Sequence, residues 1–181
     1  MLLVVSTVNI STLKGIHGTT KYHAESILVN GFKVDPDGKV GKAGRGVYFW
    51  HYLHDRSTAV YCANAWTNFA KKQGSYDQEK DCTLVNIEVE ILTNVDSILN
   101  FEGQVQESFN KAFPIGSYDE SSYGAKLDVF IEELESNLSC KFNLVKINLS
   151  VPNLGRNVAF ANSFPAIIIK DDVDINILDS F

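Results

Sequence analysis

Three short segments of the chain carry residue types that could bind a ligand or assist a reaction. The first is residues 15–19, in which His17 is followed directly by Gly18. A histidine at the end of a strand can hydrogen-bond a ligand hydroxyl, and a glycine lets the backbone approach a flat ligand closely. Taken alone, the same pattern also fits a turn that contains a satisfied histidine.

The other two segments add aromatic rings and a hydroxyl group. In residues 44–50, two glycines precede three successive aromatic residues, and strand alternation prevents Tyr48 from sharing a face with Phe49. In residues 57–62, Thr58 and Tyr61 are neighbours on one helix face. A hydroxyl beside a ring could hold an aromatic amide. The simpler readings are amphipathic packing of the strand and an ordinary, partly buried tyrosine.

Hydrophobic spacing predicts the elements that would position these segments. The order is strand, helix, strand, helix, and then mostly strands with one late helix. This order lacks the regular alternation of a doubly wound sheet, so we expect an α+β domain with antiparallel sheets. The predicted strands are residues 13–17, 46–50, 83–91, 142–149, 166–169 and 173–178, and the predicted helices are residues 21–30, 59–70 and 126–139.

Length and charge limit the class of protein. The 181 residues fit a single domain, residues 1–181. A net charge of -6 gives no general attraction to nucleic acid or anionic lipid, so neither partner is favoured. Three widely spaced cysteines argue against a disulfide framework or a metal site. No apolar run approaches the roughly 20 residues of a membrane span, and no signal peptide is evident. We expect a cytoplasmic protein, or one delivered into a host-cell cytosol.

Together, and in this order, the segments resemble the ADP-ribosyltransferase superfamily. The branch is the diphtheria-toxin and poly(ADP-ribose) polymerase type, which is marked by a His-Tyr-Glu triad. The resemblance covers about residues 13–70, and beyond them it rests on the order of the elements. It implies a fold of two packed, mainly antiparallel sheets with flanking helices. The matching motifs are residues 17–19, 27–32, 44–49 and 57–62.

The resemblance also implies a ligand, NAD, which would be consumed as a substrate. His17 would bind a ribose hydroxyl and orient NAD, while the Gly18 backbone and Thr58 would hold the nicotinamide carboxamide. Two tyrosines would enclose the nicotinamide ring. The complete set of implied NAD-binding residues is His17, Gly18, Thr19, Tyr48, Thr58 and Tyr61.

The implied reaction cleaves a glycosidic bond through an oxocarbenium-like state. Aromatic stacking and hydrogen bonds to the carboxamide would hold the leaving nicotinamide. A carboxylate would stabilise the positive charge on the ribose and polarise the acceptor. The family carries this carboxylate at the start of a late strand, where Pro165 or Ala166 stands in this chain.

Glu88 and Glu90 are the candidate substitutes for that carboxylate. They are two residues apart and share one strand face, and a Glu-x-Glu pair marks the other, arginine-centred branch of the superfamily. In that branch an arginine would replace His17. Polar faces of amphipathic strands also carry glutamates by chance. The candidate catalytic residues are His17, Tyr48, Glu88 and Glu90.

The leading hypothesis is a mono-ADP-ribosyltransferase that modifies a macromolecule, with a protein as the expected acceptor. The alternatives are an NAD glycohydrolase and a non-catalytic module that binds NAD or ADP-ribose. An RNA 2′-phosphotransferase is disfavoured, because such enzymes need several arginines for phosphate and this chain has few. A toxin, an effector, a phage protein and a host-defence protein would all fit a small transferase of this kind.

Overall fold

The computed structural model describes residues 9–35, 38–152, 163–171 and 173–181. In these ranges, seven strands form one mostly antiparallel sheet, and four α-helices accompany it. The predicted α+β class is therefore confirmed. The bounds are β1 Ile10–Thr20, α1 Lys21–Asn30, β2 Val47–Tyr52, α2 Ser57–Lys72, β3 Leu84–Asn94, β4 Ile98–Asn100, α3 Gly103–Ala112, α4 Tyr123–Leu138, β5 Leu144–Ser150, β6 Ser163–Ile169 and β7 Asp174–Ser180.

The observed bounds agree with the predicted bounds where an element is defined by the spacing of its own apolar residues. The predicted helix over residues 21–30 has the bounds of α1. β1 is much longer than the predicted residues 13–17, because it pairs with β3 over its whole length, from Ile10 to Thr20. Long-range backbone pairing of this kind leaves no trace in the spacing of apolar side chains.

Strand β2 lies at the centre of the sheet, whose strand order is β4-β5-β6-β2-β1-β3-β7. Its first part, Val47 to Trp50, pairs with β6, and its last part, Trp50 to Tyr52, pairs with β1. Trp50 is thus paired on both sides. Hydrogen bonding joins all seven strands, so the expected pair of separate sheets is replaced by two groups of three strands connected through β2.

The two faces of the sheet bury different cores. On one face, Ile16, Trp50 and Ile168 pack with buried residues of α2, α3 and α4. On the other face, Phe49 and Ile87 pack with Ala24, the buried residue of α1. Because side chains alternate along each strand, neighbouring residues of β1 and β2 enter opposite cores.

The glycine-rich loop before β2, residues 38–46, is anchored by contacts with α4 and with the end of β6. Ala43 is fully buried, so the loop is less exposed than its composition suggests. The Asp128 carboxylate of α4 accepts a hydrogen bond from the Arg45 backbone N–H at 2.9 Å and lies 2.5 Å from the Lys170 ammonium group, just after β6. Gly124 lies directly under the loop, where a Cβ would be 2.7 Å from the Gly44 nitrogen. The loop is therefore fixed to both α4 and the end of β6.

We predict that the Lys170–Asp128 ion pair contributes to stability while an exposed pair does not. The two side chains are only 13% and 12% exposed, whereas Lys21 and Asp81 are 53% and 42% exposed. Lys170→Met should lower the free energy of unfolding in urea by about 2 kcal/mol, because it leaves a poorly solvated carboxylate without its cation. The matched control, Lys21→Met, should change it by less than about 0.5 kcal/mol. Equal losses in the two variants would contradict this assignment.

Candidate functional site

A cavity of about 390 Å³ opens where β1 and β2 separate. Pairing between these strands joins Lys14–Tyr52, Gly15–His51 and Ile16–Trp50 and ends there in the described register. His17 and Gly18 consequently face Tyr48 and Phe49 across a gap. The lining consists of His17, Gly18, Gly41, Lys42, Tyr48, Phe49, Trp50, Ala63, Trp66, Ala70, Tyr76, Leu149 and Ala166.

The backbone of Gly18 points into this gap. Asn86 lies opposite Gly18 on β3, and its backbone exchanges hydrogen bonds with Phe181 at 2.8 and 3.0 Å. Backbone groups of one residue point to the same side of a strand, so Asn86 does not bond to β1 and Gly18 does not bond to β3. The N–H and C=O groups of Gly18 are directed toward β2. A planar amide group placed in the gap could form the two hydrogen bonds that β2 does not supply to Gly18.

Gly18 is also required by the close approach of α2. A Cβ at this position would lie 2.5 Å from Thr67 Oγ1 and 2.6 Å from the Ala63 carbonyl oxygen. Contacts this short are not tolerated, so any side chain would push the helix away from β1. The glycine therefore serves the packing of α2 as well as the exposure of the strand edge.

The side chain of His17 joins β1 to β2 at a place where the two strands are no longer paired through their backbones. Its Nδ1 lies 2.9 Å from the Tyr48 carbonyl oxygen. A carbonyl can only accept, so Nδ1 carries the hydrogen and Nε2 is left as an acceptor. The ring meets Phe32 edge-on at 5.2 Å and Phe49 at 5.6 Å. Burial lowers the pKa of His17 below its ordinary value, which favours the neutral ring.

Tyr48 is both a wall of the cavity and the anchor of the loop beside it. Its hydroxyl donates to the Gly44 carbonyl oxygen at 2.5 Å and accepts from the Ala43 N–H at 3.0 Å. Burial raises the pKa of Tyr48, so this hydroxyl stays protonated. Because the hydroxyl is engaged by the loop, the part of Tyr48 available to a ligand is its ring.

The two residues expected from α2, Thr58 and Tyr61, do not reach the cavity. Both are on the exposed side of the helix, and Tyr61 is 50% exposed. The buried stripe of α2 faces the sheet, and it brings Ala63 and Trp66 to the cavity instead. This pair has the same spacing as Thr58 and Tyr61 but lies on another face of the helix. The aromatic wall supplied by α2 is therefore Trp66.

Glu88 and Glu90 are not brought to the cavity either. In the sheet they lie opposite Ile16 and Lys14, so β1 separates them from the gap between β1 and β2. The Glu88 carboxylate is already engaged, because it forms an ion pair with Arg56 and accepts a hydrogen bond from the Tyr52 hydroxyl. Its position indicates a structural role at the start of α2.

Ala166 lines the cavity at the place where the resemblance expects a carboxylate. Within the described part of the chain, no aspartate or glutamate lines this cavity. Sequence reasoning missed Lys42, whose ammonium group lies 2.7 Å from Ser150 Oγ and 3.2 Å from a Glu120 oxygen. It also missed Tyr76, which lies in a segment without periodic spacing.

A second cavity, of about 450 Å³, adjoins the first. The two share His17, Gly18 and Tyr76, so these residues form a junction between them. Thr19, the remaining residue of the first motif, lines the second cavity together with one side of α1. Its other lining residues are His23, Ser26, Ile27, Asn30, Gly31, Phe32, Lys33 and Val47. The two adjoining cavities are called the groove below.

We predict that neutral His17 makes stability depend on pH. The folded-state pKa of His17 is lowered from 6.5, so the unfolded chain binds this proton more tightly than the folded protein does. The contribution of His17 to the free energy of unfolding is therefore fully present at pH values above its ordinary pKa of 6.5 and is lost as the pH falls below that value. Urea unfolding at about pH 7.5 and about pH 5.5 should show a smaller difference for His17→Asn than for wild type. An unchanged difference would contradict the prediction.

Comparisons with known proteins add no relationship to this geometry. The chain matches no protein-family model, no curated protein and no solved structure. In the residues that the structure describes, no helix combines the length and apolar character needed to cross a membrane.

Proposed function

We propose that this protein is an NAD-dependent mono-ADP-ribosyltransferase that releases nicotinamide and modifies a macromolecular acceptor, with a protein as the expected one. The observation that carries the proposal is the gap between β1 and β2. There the backbone edge of Gly18 faces an aromatic-walled cavity that continues into a second cavity. The α+β architecture with a mostly antiparallel sheet supports the fold class that the resemblance implies, at the level of class alone.

The first cavity suits nicotinamide. The carboxamide of nicotinamide has one donor group and one acceptor, which match the C=O and N–H groups of Gly18. Tyr48 and Trp66 both line this cavity and supply aromatic surfaces for the pyridine ring. Most of the other lining residues are apolar, which would exclude water from the leaving group.

The second cavity suits the adenosine half of NAD. With nicotinamide beside Gly18, its ribose lies at the junction, where the free Nε2 of His17 can accept a hydrogen bond from a ribose hydroxyl. Thr19, Ser26 and Asn30 offer polar groups in the second cavity. The two volumes, about 390 and about 450 Å³, lie within the range of small-molecule sites.

The proposed reaction breaks the bond between C1′ of the ribose and the nicotinamide nitrogen. The electron pair of that bond leaves with nicotinamide, and the ribose becomes positively charged. Fixing nicotinamide through Gly18 and the ribose through His17 aligns the bond for departure. Attack by an acceptor group gives ADP-ribosylation, and attack by water gives NAD hydrolysis as a side reaction of the same site.

A second candidate function is a non-catalytic module that binds NAD or ADP-ribose. One observation favours it. Ala166 stands at the place of the expected glutamate, and among the residues that the structure describes no acidic residue lines the cavity. Such a module would keep the contacts of Gly18 and His17 and would not break the glycosidic bond.

Two measurements test the proposal and separate it from the alternative. Calorimetry should detect binding of NAD, and incubation with NAD labelled on the adenine should release nicotinamide and transfer label to protein. Binding without release would indicate the non-catalytic module. Release without transfer would indicate a glycohydrolase. Absence of all three signals would refute an NAD site.

We predict that Trp66, and not Tyr61, stacks on the ligand. Trp66→Ala should weaken NAD binding in calorimetry about 10-fold, since stacking of a ring on an aromatic side chain contributes roughly 1–3 kcal/mol. The matched variant Tyr61→Ala should bind NAD like wild type, because Tyr61 is exposed on another face of α2. The reverse pattern would show that α2 binds the ligand through the face that the sequence motif suggests.

A further inference from the structure

The segment that connects α2 to β3, residues 73–83, covers the junction of the groove. It carries Tyr76, which lines both cavities. The backbone of this segment is fixed to the start of α1, because Lys21 N–H donates to the Thr83 carbonyl at 2.7 Å and Tyr22 N–H donates to the Asp81 carbonyl at 3.2 Å. The Cys82 thiol also donates to the Tyr76 carbonyl oxygen at 3.3 Å. These contacts tie the segment that carries Tyr76 to the start of α1.

Glu79 is the buried acid of this segment. Its side chain is 8% exposed, and one of its oxygens lies 2.8 Å from Nε2 of His23. The other oxygen accepts a hydrogen bond from the hydroxyl of Thr20, which is fully buried at the end of β1. The carboxylate therefore links the connecting segment to the strand that carries His17 and Gly18.

The charge of Glu79 acts on side chains that line the groove. His23, its partner, lines the second cavity, and its ring lies 6.2 Å from that of Tyr76. Burial raises the pKa of Tyr76, and the negative charge of Glu79 raises it further. The carboxylate is consequently close enough to influence the electrostatic potential at the junction, where the ribose of NAD would lie.

Other acids named above are less suited to this role. Glu88 lies beyond β1 and is paired with Arg56. Asp128 is paired with Lys170 under the glycine-rich loop. Glu120 is 84% exposed and pairs with Lys42, so solvent screens its charge. Glu79 is also paired, with His23, but that partner itself lines the second cavity, so this buried pair lies beside the junction.

We propose that Glu79 supplies the negative charge that stabilises the positively charged nicotinamide ribose, and that it acts through His23 and Tyr76 as a positioning residue. The inference rests on the proposed NAD site. Glu79 forms no bond in the reaction. The glycosidic electron pair leaves with nicotinamide, the nucleophilic atom of the acceptor bonds to C1′, and the proton of the acceptor passes to solvent. A fixed charge in a poorly hydrated site lowers the energy of such a charged state.

The test compares Glu79→Gln with Glu135→Gln. Glutamine has the size of glutamate and can still accept from Thr20, so the first variant removes the charge and preserves the shape. Glu135 of α4 is a suitable control because its side chain is also buried, at 9% exposure, is paired with Lys141 and lies outside the groove. Steady-state nicotinamide release from NAD gives kcat and KM, and thermal unfolding reports on the fold.

We expect Glu79→Gln to lower kcat for nicotinamide release by about 10-fold or more, with KM changed less than about 3-fold. Glu135→Gln should retain the wild-type kcat. A wild-type kcat in Glu79→Gln would overturn the inference. So would a loss confined to KM or to thermal stability, since a purely structural carboxylate would produce that result.

A binding measurement tests the charge even if the protein does not turn NAD over. The nicotinamide ring is positively charged in NAD and neutral in NADH. Wild type should therefore prefer NAD, and Glu79→Gln should reduce the ratio of the two affinities by about 3-fold or more, whereas Glu135→Gln should not. If Glu79→Gln binds NAD and its affinity ratio is unchanged, the role of Glu79 is refuted and the proposed function is not. Failure of wild type to bind NAD would refute the proposed function, and this inference with it.

Discussion

The candidate site depends on one interruption of backbone pairing, the end of the β1–β2 ladder after Ile16 and Trp50. Continued pairing would place Gly18 against β2 and close the cavity. The interruption is stabilised on both sides, by the bond from His17 to the Tyr48 carbonyl and by the Tyr48 hydroxyl, which holds the glycine-rich loop. Helix α2 rests on Gly18 and completes the cavity. The exposed strand edge is thus a property of the whole sheet and not of a single turn.

The sequence predicts the part of the site that is local along the chain. His17, Gly18 and Tyr48 could be singled out because their roles follow from strand alternation and from the absence of a side chain at one position. The helix of residues 57–72 was also recognisable, but the face that lines the cavity was not. Packing of Ala59, Cys62 and Ala63 against the sheet determines which residues turn inward, and it selects Trp66 over Tyr61.

The contributions that sequence reasoning missed come from segments distant in the chain. Lys42 reaches the cavity because the loop is tied to α4 and β6, and Tyr76 does so because Glu79 binds Thr20 and His23. These contacts join residues that share no periodic pattern. The spacing of Glu88 and Glu90 was informative about their strand face but not about which strand separates them from the cavity. Only the strand order settles that point.

The double pairing of Trp50 has a consequence for the two sides of β2. Before Trp50 the strand pairs only with β6, and after Trp50 it pairs only with β1, so the sheet is open toward His17 on one side and toward Pro165 on the other. A further cavity of about 420 Å³ lies at the second opening and shares Ala166 with the first cavity. Ala166 therefore separates two openings that flank the same central strand, and a larger side chain at this position would intrude on both.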